Sequence, residues 1–279
     1  MHAPAEKVAR FRALHAKGHA FLFPNFWDAG SARILEGLGF PALASTSSGF
    51  ALTKGRNDYG VTRDEVMEHA REVCAAVSVP VAFDLENGFG LSAEDCAETV
   101  RRAAAAGLCG GSIEDSTGDA KRPLVDKGLA VERVAAAVEA ARSAPGGFVL
   151  TARAEAFLYG EANLNDVIAR LQAFEVAGAE VLFAPGLPDL NAVKAVCEAV
   201  ARPVNVLIYG ALAHHSVEDF ARAGAARLSL GGALASEAYA TLAEQARAIK
   251  AGGRFDMFGS RREAQAQVRA IIRESAGGR

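Results

Sequence analysis

The chain is short of most features that mark a specialised class. It has only four cysteines in 279 residues, none in a CxxC pair, so neither a disulfide framework nor a zinc ribbon is expected. Cys74, Cys96, Cys109 and Cys197 read as small buried hydrophobes in a reducing compartment. No apolar run is long enough to cross a bilayer, and the opening MHAPAEKVARFRALHAKGHAFLF lacks the uninterrupted apolar stretch of a secretory leader. A cytoplasmic location is expected. Charge of one sign is scarce too: a net charge of −3 and a pI near 6.1 leave no footprint for nucleic acid or an anionic membrane. With no Pro/Ser-rich linker and no block of like charge, one large domain with a small-molecule ligand remains.

What is present is alternation. Short apolar or β-branched runs occur at 20–24, 41–46, 80–84, 110–114, 148–153, 180–185, 203–208 and 226–231, separated by stretches with helical spacing. TRDEVMEHAREVCAAV and SAEDCAETVRRAAAAG each begin with a capping Thr or Ser and acids in the first turn. Eight βα units closing on themselves make a TIM barrel, whose strands, buried on both faces, explain the near-continuous apolar runs. An open doubly wound sheet is the alternative. The barrel is expected over 1–255, and 256–279 forms an extension whose helix, with an apolar side at Val268, Ile271 and Ile272, exceeds what a barrel needs.

Acids close two consecutive strands. VAFDLENGFG places Asp84 and Glu86 at a strand end, where alternation points both the same way, and GGSIEDS ends in Glu114 and Asp115. Asp58 lies in the loop after the second strand and Arg153 closes the fifth. Acids at strand ends can simply cap the helices that follow. Converging from adjacent strands, however, they repel unless a cation neutralises them, and oxygen ligands with little histidine suit Mg²⁺ or Mn²⁺. His214 and His215 are adjacent, so their side chains diverge, and Ser216 reads as a helix cap. Asn205 either faces a ligand or hydrogen-bonds inside the barrel. LSLGGALAS (228–236) suits a phosphate loop, which supports a rival enzyme acting on a phosphorylated metabolite.

AFDLENGFG, SIEDS and TARAEAF, with FPNFWDAGSARILEGLGFPALASTSSGFA upstream, resemble the isocitrate lyase/phosphoenolpyruvate mutase superfamily over about residues 10–250. The resemblance implies a modified TIM barrel, a homotetramer or homodimer with the C-terminal helix swapped between subunits, and Mg²⁺ with a small 2-oxo or 2-hydroxy acid. It implies cleavage or formation of a C–C or P–C bond through an enolate. Position by position, Asp84 resembles the direct metal ligand, and Asp58, Glu86 and Glu114 the acids that hold its waters. Arg153 resembles the substrate-binding arginine, and Arg153, Asp58 and Glu114 are the candidate catalytic groups. Ser47, Ser48, Gly49 and Phe50 resemble the loop whose N–H groups hold the substrate carboxylate, with Asp84 at the same site and Asn205 a candidate to face it. Trp27 and Asp28 resemble a first-strand signature.

One departure bears on the reaction. Lyases of isocitrate and methylisocitrate carry a loop thiol, and here DSTGDAKRPLVDKG keeps Lys121 and Arg122 but has Pro123 and Leu124 where Cys-Gly is expected. The loop 116–128, with Gly118 and Gly128 as hinges, is expected to close over the substrate. After the sixth strand no acid appears before Asp189. A true isocitrate lyase is therefore not expected, and a catalytically silent binder of oxo acids is the remaining alternative.

Overall fold

The structure, a computed structural model, describes residues 3–16, 18–160, 163–253, 255, 258–259 and 261–277. In chain order it runs α1 (Ala5–Ala13), β1 (Phe21–Phe23), β2 (Asn25–Phe26), α2 (Ala29–Gly37), β3 (Leu43–Ser45), α3 (Ser47–Thr53) and α4 (Arg63–Ala76). There follow β4 (Val81–Asp84), α5 (Ala93–Ala105), β5 (Gly110–Glu114), α6 (Lys127–Ser143), β6 (Val149–Arg153), α7 (Leu164–Ala177) and β7 (Val181–Phe183). The chain ends with α8 (Leu190–Ala199), β8 (Val204–Leu207), α9 (Val217–Arg222), β9 (Arg227–Ser229), α10 (Ala233–Gly252) and α11 (Arg262–Gly277).

All eight expected strands are present and parallel, and the first is split in two at Pro24. Phe21–Phe23 pair with Arg227–Ser229, whereas Asn25–Phe26 pair with Ala44–Ser45. Proline has no N–H for a ladder, so it sits where the chain changes from one neighbour to the other, and its carbonyl accepts from Ala44 N at 3.0 Å. The ring closes through that residue. A doubly wound sheet would reverse its strand order part-way, and here the order β9 to β3 is sequential all round.

The helices start where the sequence supplies caps. Thr62 with Glu65, Ser92 with Asp95, and Ser216 with Asp219 form reciprocal capping boxes that open α4, α5 and α9. Each then buries one face: α4 turns Val66, Met67, Ala70 and Val73 onto the barrel wall. Asp28, read as part of a first-strand signature, caps α2 by accepting from Ser31 N at 2.6 Å.

Two helices lie outside the βα repeat. At one end of the barrel, α1 presses Val8 and Phe11 into an inner cluster with Phe23, Ala82, Val149 and Val181. Because the last two begin their strands, this is the N-terminal end, and α1 is its plug. The fit is close: a Cβ on Gly110 would lie 3.0 Å from the Phe11 ring and 2.5 Å from the Val149 carbonyl oxygen. At the other end of the chain, α11 packs on α2 of its own barrel, where Ile271 occupies the space that a Cβ on Gly37 would take, 2.4 Å from Cγ2. No described helix is long and apolar enough to cross a membrane.

Candidate active site

Small residues leave room inside the barrel. Ala44, Ala82 and Ser112 face a cup of about 170 Å³ that opens at the C-terminal ends of the strands, the end opposite α1. The volume suits an acid of a few carbon atoms.

Arg153, the last residue of β6, is at the centre of the acids on this rim. Nε and Nη2 both donate to Glu155, the second at 3.2 Å, while Nη1 donates to Asp84 Oδ2 at 3.1 Å and lies 3.4 Å from Glu114 Oε2. Burial works against the cation, but Glu155, Glu114 and Asp84 outweigh it and hold its pKa well above the usual value. Glu155 was not singled out in the sequence, although TARAEAF places it two residues beyond the arginine. Its own backbone N–H donates to Asp115 Oδ1 at 2.8 Å, and Asp115 is ion-paired with Arg170 at 3.2 Å. Arg153 thus supplies one positive charge shared by three of these carboxylates, Asp84, Glu114 and Glu155.

Glu86 arrives by a different route from the one alternation suggests. The strand ends at Asp84, and Glu86 starts a tight turn with φ +49°, followed by Gly88 at +78° and Phe89 at +58°. Left-handed backbone at two non-glycine residues costs energy and is imposed by surroundings. Two arginines and a threonine brace the turn: buried Arg133 Nη2 donates to the carbonyls of Asn87 (2.5 Å) and Glu114 (3.3 Å), while Arg63 Nη2 (3.1 Å) and Thr99 Oγ1 (2.8 Å) donate to that of Gly88. Glu86 N returns to Asp84 Oδ1 at 3.2 Å, so the two acids share a site through the turn. Buried Glu86 Oε1 has no hydrogen-bond partner, and desolvation, then Asp84 and Asp58, push the carboxyl up to about 8.

Asp58 stands at the solvent side of the cup, where desolvation of its carboxyl and the Asp84 charge raise its pKa. Its neighbour Tyr59, at φ +59°, donates from its hydroxyl to Glu114 Oε1. Desolvation, and after it Glu155, raise Glu114 well above the ordinary carboxylate range. Sequence reading missed Tyr59, since nothing local in KGRNDYG announces a partner on β5.

SSGF, expected as a loop, is the first turn of α3. Ser47 and Ser48 line the cup, and Ser47 Oγ donates to Asp84 Oδ2 at 3.2 Å. The amide of Gly49 donates to Thr46 Oγ1 at 3.3 Å and that of Phe50 to Thr46 O at 3.0 Å, so the cap and helix engage two of the N–H groups in the stretch 47–50. The Phe50 ring stacks on His69 with centroids 4.2 Å apart, in the core.

The loop 116–128 is tied down. Ser116 bridges to Leu124, Thr117 N donates to Pro123 O at 2.8 Å, and Val125 N to Asp115 O at 3.0 Å. Gly118 has the positive φ of a turn, whereas Gly128 lies in the first turn of α6. Asp189 caps α8, accepting from Ala192 N at 2.9 Å. Both His214 and His215 are exposed, beside the cap Ser216. In LSLGGALAS, Gly231 and Gly232 border the cup, and Leu230 N donates to Asn25 Oδ1 at 2.8 Å. Asn205 lines the cup and is also bonded within the barrel, to Ser229 Oγ (2.9 Å) and Arg227 Nε (2.8 Å).

No three His, Cys, Asp or Glu side chains among the described residues are arranged to hold a metal ion together. An ion that keeps most of its waters needs only one or two carboxylates. The oxygen-only donor set at Asp84 and the orphaned Glu86 Oε1 suit such an ion.

The family profile described as phosphoenolpyruvate phosphomutase matches residues 11–250. The 2-methylisocitrate lyase of Escherichia coli (strain K12) is 32% identical over 221 residues, which cover 76% of this chain and 72% of that one. A solved structure from Burkholderia cenocepacia J2315 with a provisional lyase/mutase assignment is 47% identical, with a TM-score of 0.86 over 90% of each chain. A phosphonopyruvate hydrolase solved with oxalate and Mg²⁺ is 25% identical, with a TM-score of 0.79 over 98% of this chain and 95% of that one. The sequential barrel, the acids on β4 and β5 and the arginine on β6 thus sit in a chain that belongs to the phosphoenolpyruvate mutase/isocitrate lyase superfamily, enzymes that include lyases, hydrolases, decarboxylases and phosphonomutases.

Proposed function

We propose that the protein is a Mg²⁺-dependent enzyme, with Mn²⁺ as a substitute, that cleaves or forms a C–C or P–C bond beside the carboxylate of a small 2-oxo or 2-hydroxy acid. The observation that carries this reading is the Arg153 guanidinium fixed among Asp84, Glu114 and Glu155 at the mouth of a cup of metabolite size.

Arg153 is oriented before any ligand arrives, because Glu155 takes both Nε and Nη2. Nη2 keeps a second N–H to offer to a carboxylate or to the oxygen that gains charge as an enolate develops. A divalent ion near Asp84 and Glu86 would supply Lewis-acid polarisation of the oxo or hydroxy oxygen. Ser47 Oγ and Asp84 hold each other in place, and Tyr59 Oη carries a proton directed at Glu114 Oε1. Asp58 and Glu114, both with raised pKa values, are the rim carboxyls suited to exchanging protons with the reacting acid.

The loop 116–128 offers Pro123 and Leu124 where a thiol would protonate a carbanion-like carbon. Proline has no ionisable group, so isocitrate and methylisocitrate should not be cleaved at a useful rate. Turnover is confined to acids whose enolate takes its proton from water or needs none.

A panel of oxaloacetate, phosphonopyruvate, 2,3-dimethylmalate and methylisocitrate, assayed with Mg²⁺ and after chelation, tests the reading. Metal-dependent consumption of oxaloacetate or phosphonopyruvate is expected, with the dimethylmalate cleaved, like methylisocitrate, at no useful rate. Full activity in chelator, or succinate released from methylisocitrate as the main reaction, would overturn it.

A further inference from the structure

Among the described residues two arginines line the cup, and the mechanism above uses one of them. The other, Arg227, opens β9 with 4% of its surface exposed and lies at the floor of the same cup. Its fork is fully oriented: Nε donates to Asn205 Oδ1 (2.8 Å), Nη2 to Thr151 Oγ1 (3.0 Å), and Nη1 meets His15 Nε2 at 3.2 Å. The Phe23 ring covers it, 4.9 Å from centroid to Cζ.

All of these partners are neutral. His15 Nδ1 lies 3.0 Å from the carbonyl of Phe11, which places the imidazole N–H there and leaves Nε2 as an acceptor. Desolvation, then Arg227 itself, pull the His15 pKa down to about 3, so the ring stays uncharged. Among the described residues no carboxylate is paired with Arg227. Burial lowers the guanidinium pKa to about 9, and the cation persists at neutral pH.

A buried charge without a counter-charge is unfavourable, and an arginine cannot relieve it by losing its proton near neutrality. Three hydrogen bonds account for three of the five N–H groups, so Nη1 and Nη2 each retain one. We propose that Arg227 receives a second anionic group of the ligand, a carboxylate or a phosphonate, at the floor of the cup. The preferred substrate is then a diacid whose first acid group is held at the Arg153 rim. This inference rests on the oxo- or hydroxy-acid reading of that rim and adds the selectivity at its far end.

The test is calorimetric titration of the Mg²⁺-loaded full chain with lactate, malate and phosphonolactate, which share a 2-hydroxy-acid head and differ in the second anionic group. Wild type should bind malate or phosphonolactate at least about tenfold more tightly than lactate, the range of a hydrogen-bonded charge pair. Whichever is preferred distinguishes carboxylate from phosphonate. Arg227→Met should bring that affinity to the lactate level while lactate's own constant stays. Equal binding of all three acids, or a preference that survives Arg227→Met, overturns the assignment of Arg227 and leaves the rim reading standing. Failure of every acid, lactate included, overturns both. Should Arg227→Met not fold, the wild-type structure with the preferred diacid decides: its second anionic group lies against Arg227, or the proposal fails.

Discussion

The two arginines inside the barrel make an instructive pair. Arg153 and Arg227 have the same chemistry and line the same cup, yet one is ringed by Asp84, Glu114 and Glu155 and the other by Asn205, Thr151, His15 and Phe23. A cation already matched by carboxylates holds them in place and offers a ligand only the N–H that they leave free. A cation held by neutral groups keeps its charge for a ligand. The rim therefore suits reacting atoms, and the floor suits recognition.

The largest effect should come from emptying the acidic side of that contrast. Asp84→Ala removes the acceptor shared by Arg153, Ser47 and the Glu86 amide. Turnover should fall to background and Mg²⁺ affinity should be lost with circular dichroism unchanged; retained metal binding would move the ion elsewhere. Arg153→Lys keeps charge and loses the fork, so kcat/KM should drop by about 10²–10³-fold, as when a fixed transition-state donor is removed. A near-normal value would show that the substrate is held by other groups.

The comparison can also be blurred from the other side. Asn205→Asp would give Arg227 the carboxylate that Arg153 already has, and the preference for diacids over lactate should shrink by about tenfold. An unaltered preference in the titration would separate the floor from ligand selection.

A smaller effect concerns Glu86. Its carboxyl is raised from 4.5 to about 8 in the metal-free fold, so stability present below pH 4.5 is lost as pH rises towards 8. Glu86→Gln abolishes that titration: the metal-free variant should melt several degrees above wild type at pH 8, with the gap closing towards pH 4.5. A gap independent of pH would show that its side chain titrates normally. Least of all, Ser216→Ala removes one capping box far from the cup and should cost about 1 kcal/mol in denaturant unfolding with kinetics unchanged.

The sequence was most readable where a rule is local. Strand runs, caps at Thr62, Ser92 and Ser216, and acids at the ends of β4 and β5 are each written within a few residues. Pairing Asp84 with Glu86 by strand alternation reached the right neighbours through the wrong geometry, since the backbone leaves extended conformation after Asp84. Trusting a loop at SSGF overlooked the capping hydroxyl of Thr46, which starts α3 there. Glu155 was overlooked two residues from its partner Arg153, whereas Tyr59 and Arg227 escaped because their meaning lies in partners distant in the sequence. The plug α1 escaped for the same reason, as its apolar side matters only once a barrel has an end to close.

The split at Pro24 also dictates an order of events. As the chain leaves the ribosome, Asn25–Phe26 can find Ala44–Ser45 early, but the other ladder of the first strand waits for Arg227–Ser229 at the far end of the sequence. Non-local pairings of this kind form late and leave an open edge until they do. The strand that finally seals the ring is the one carrying Arg227. Every acid of the rim precedes that strand in the sequence, so the ladder that closes the ring is also the one that brings Arg227 to the floor of the cup.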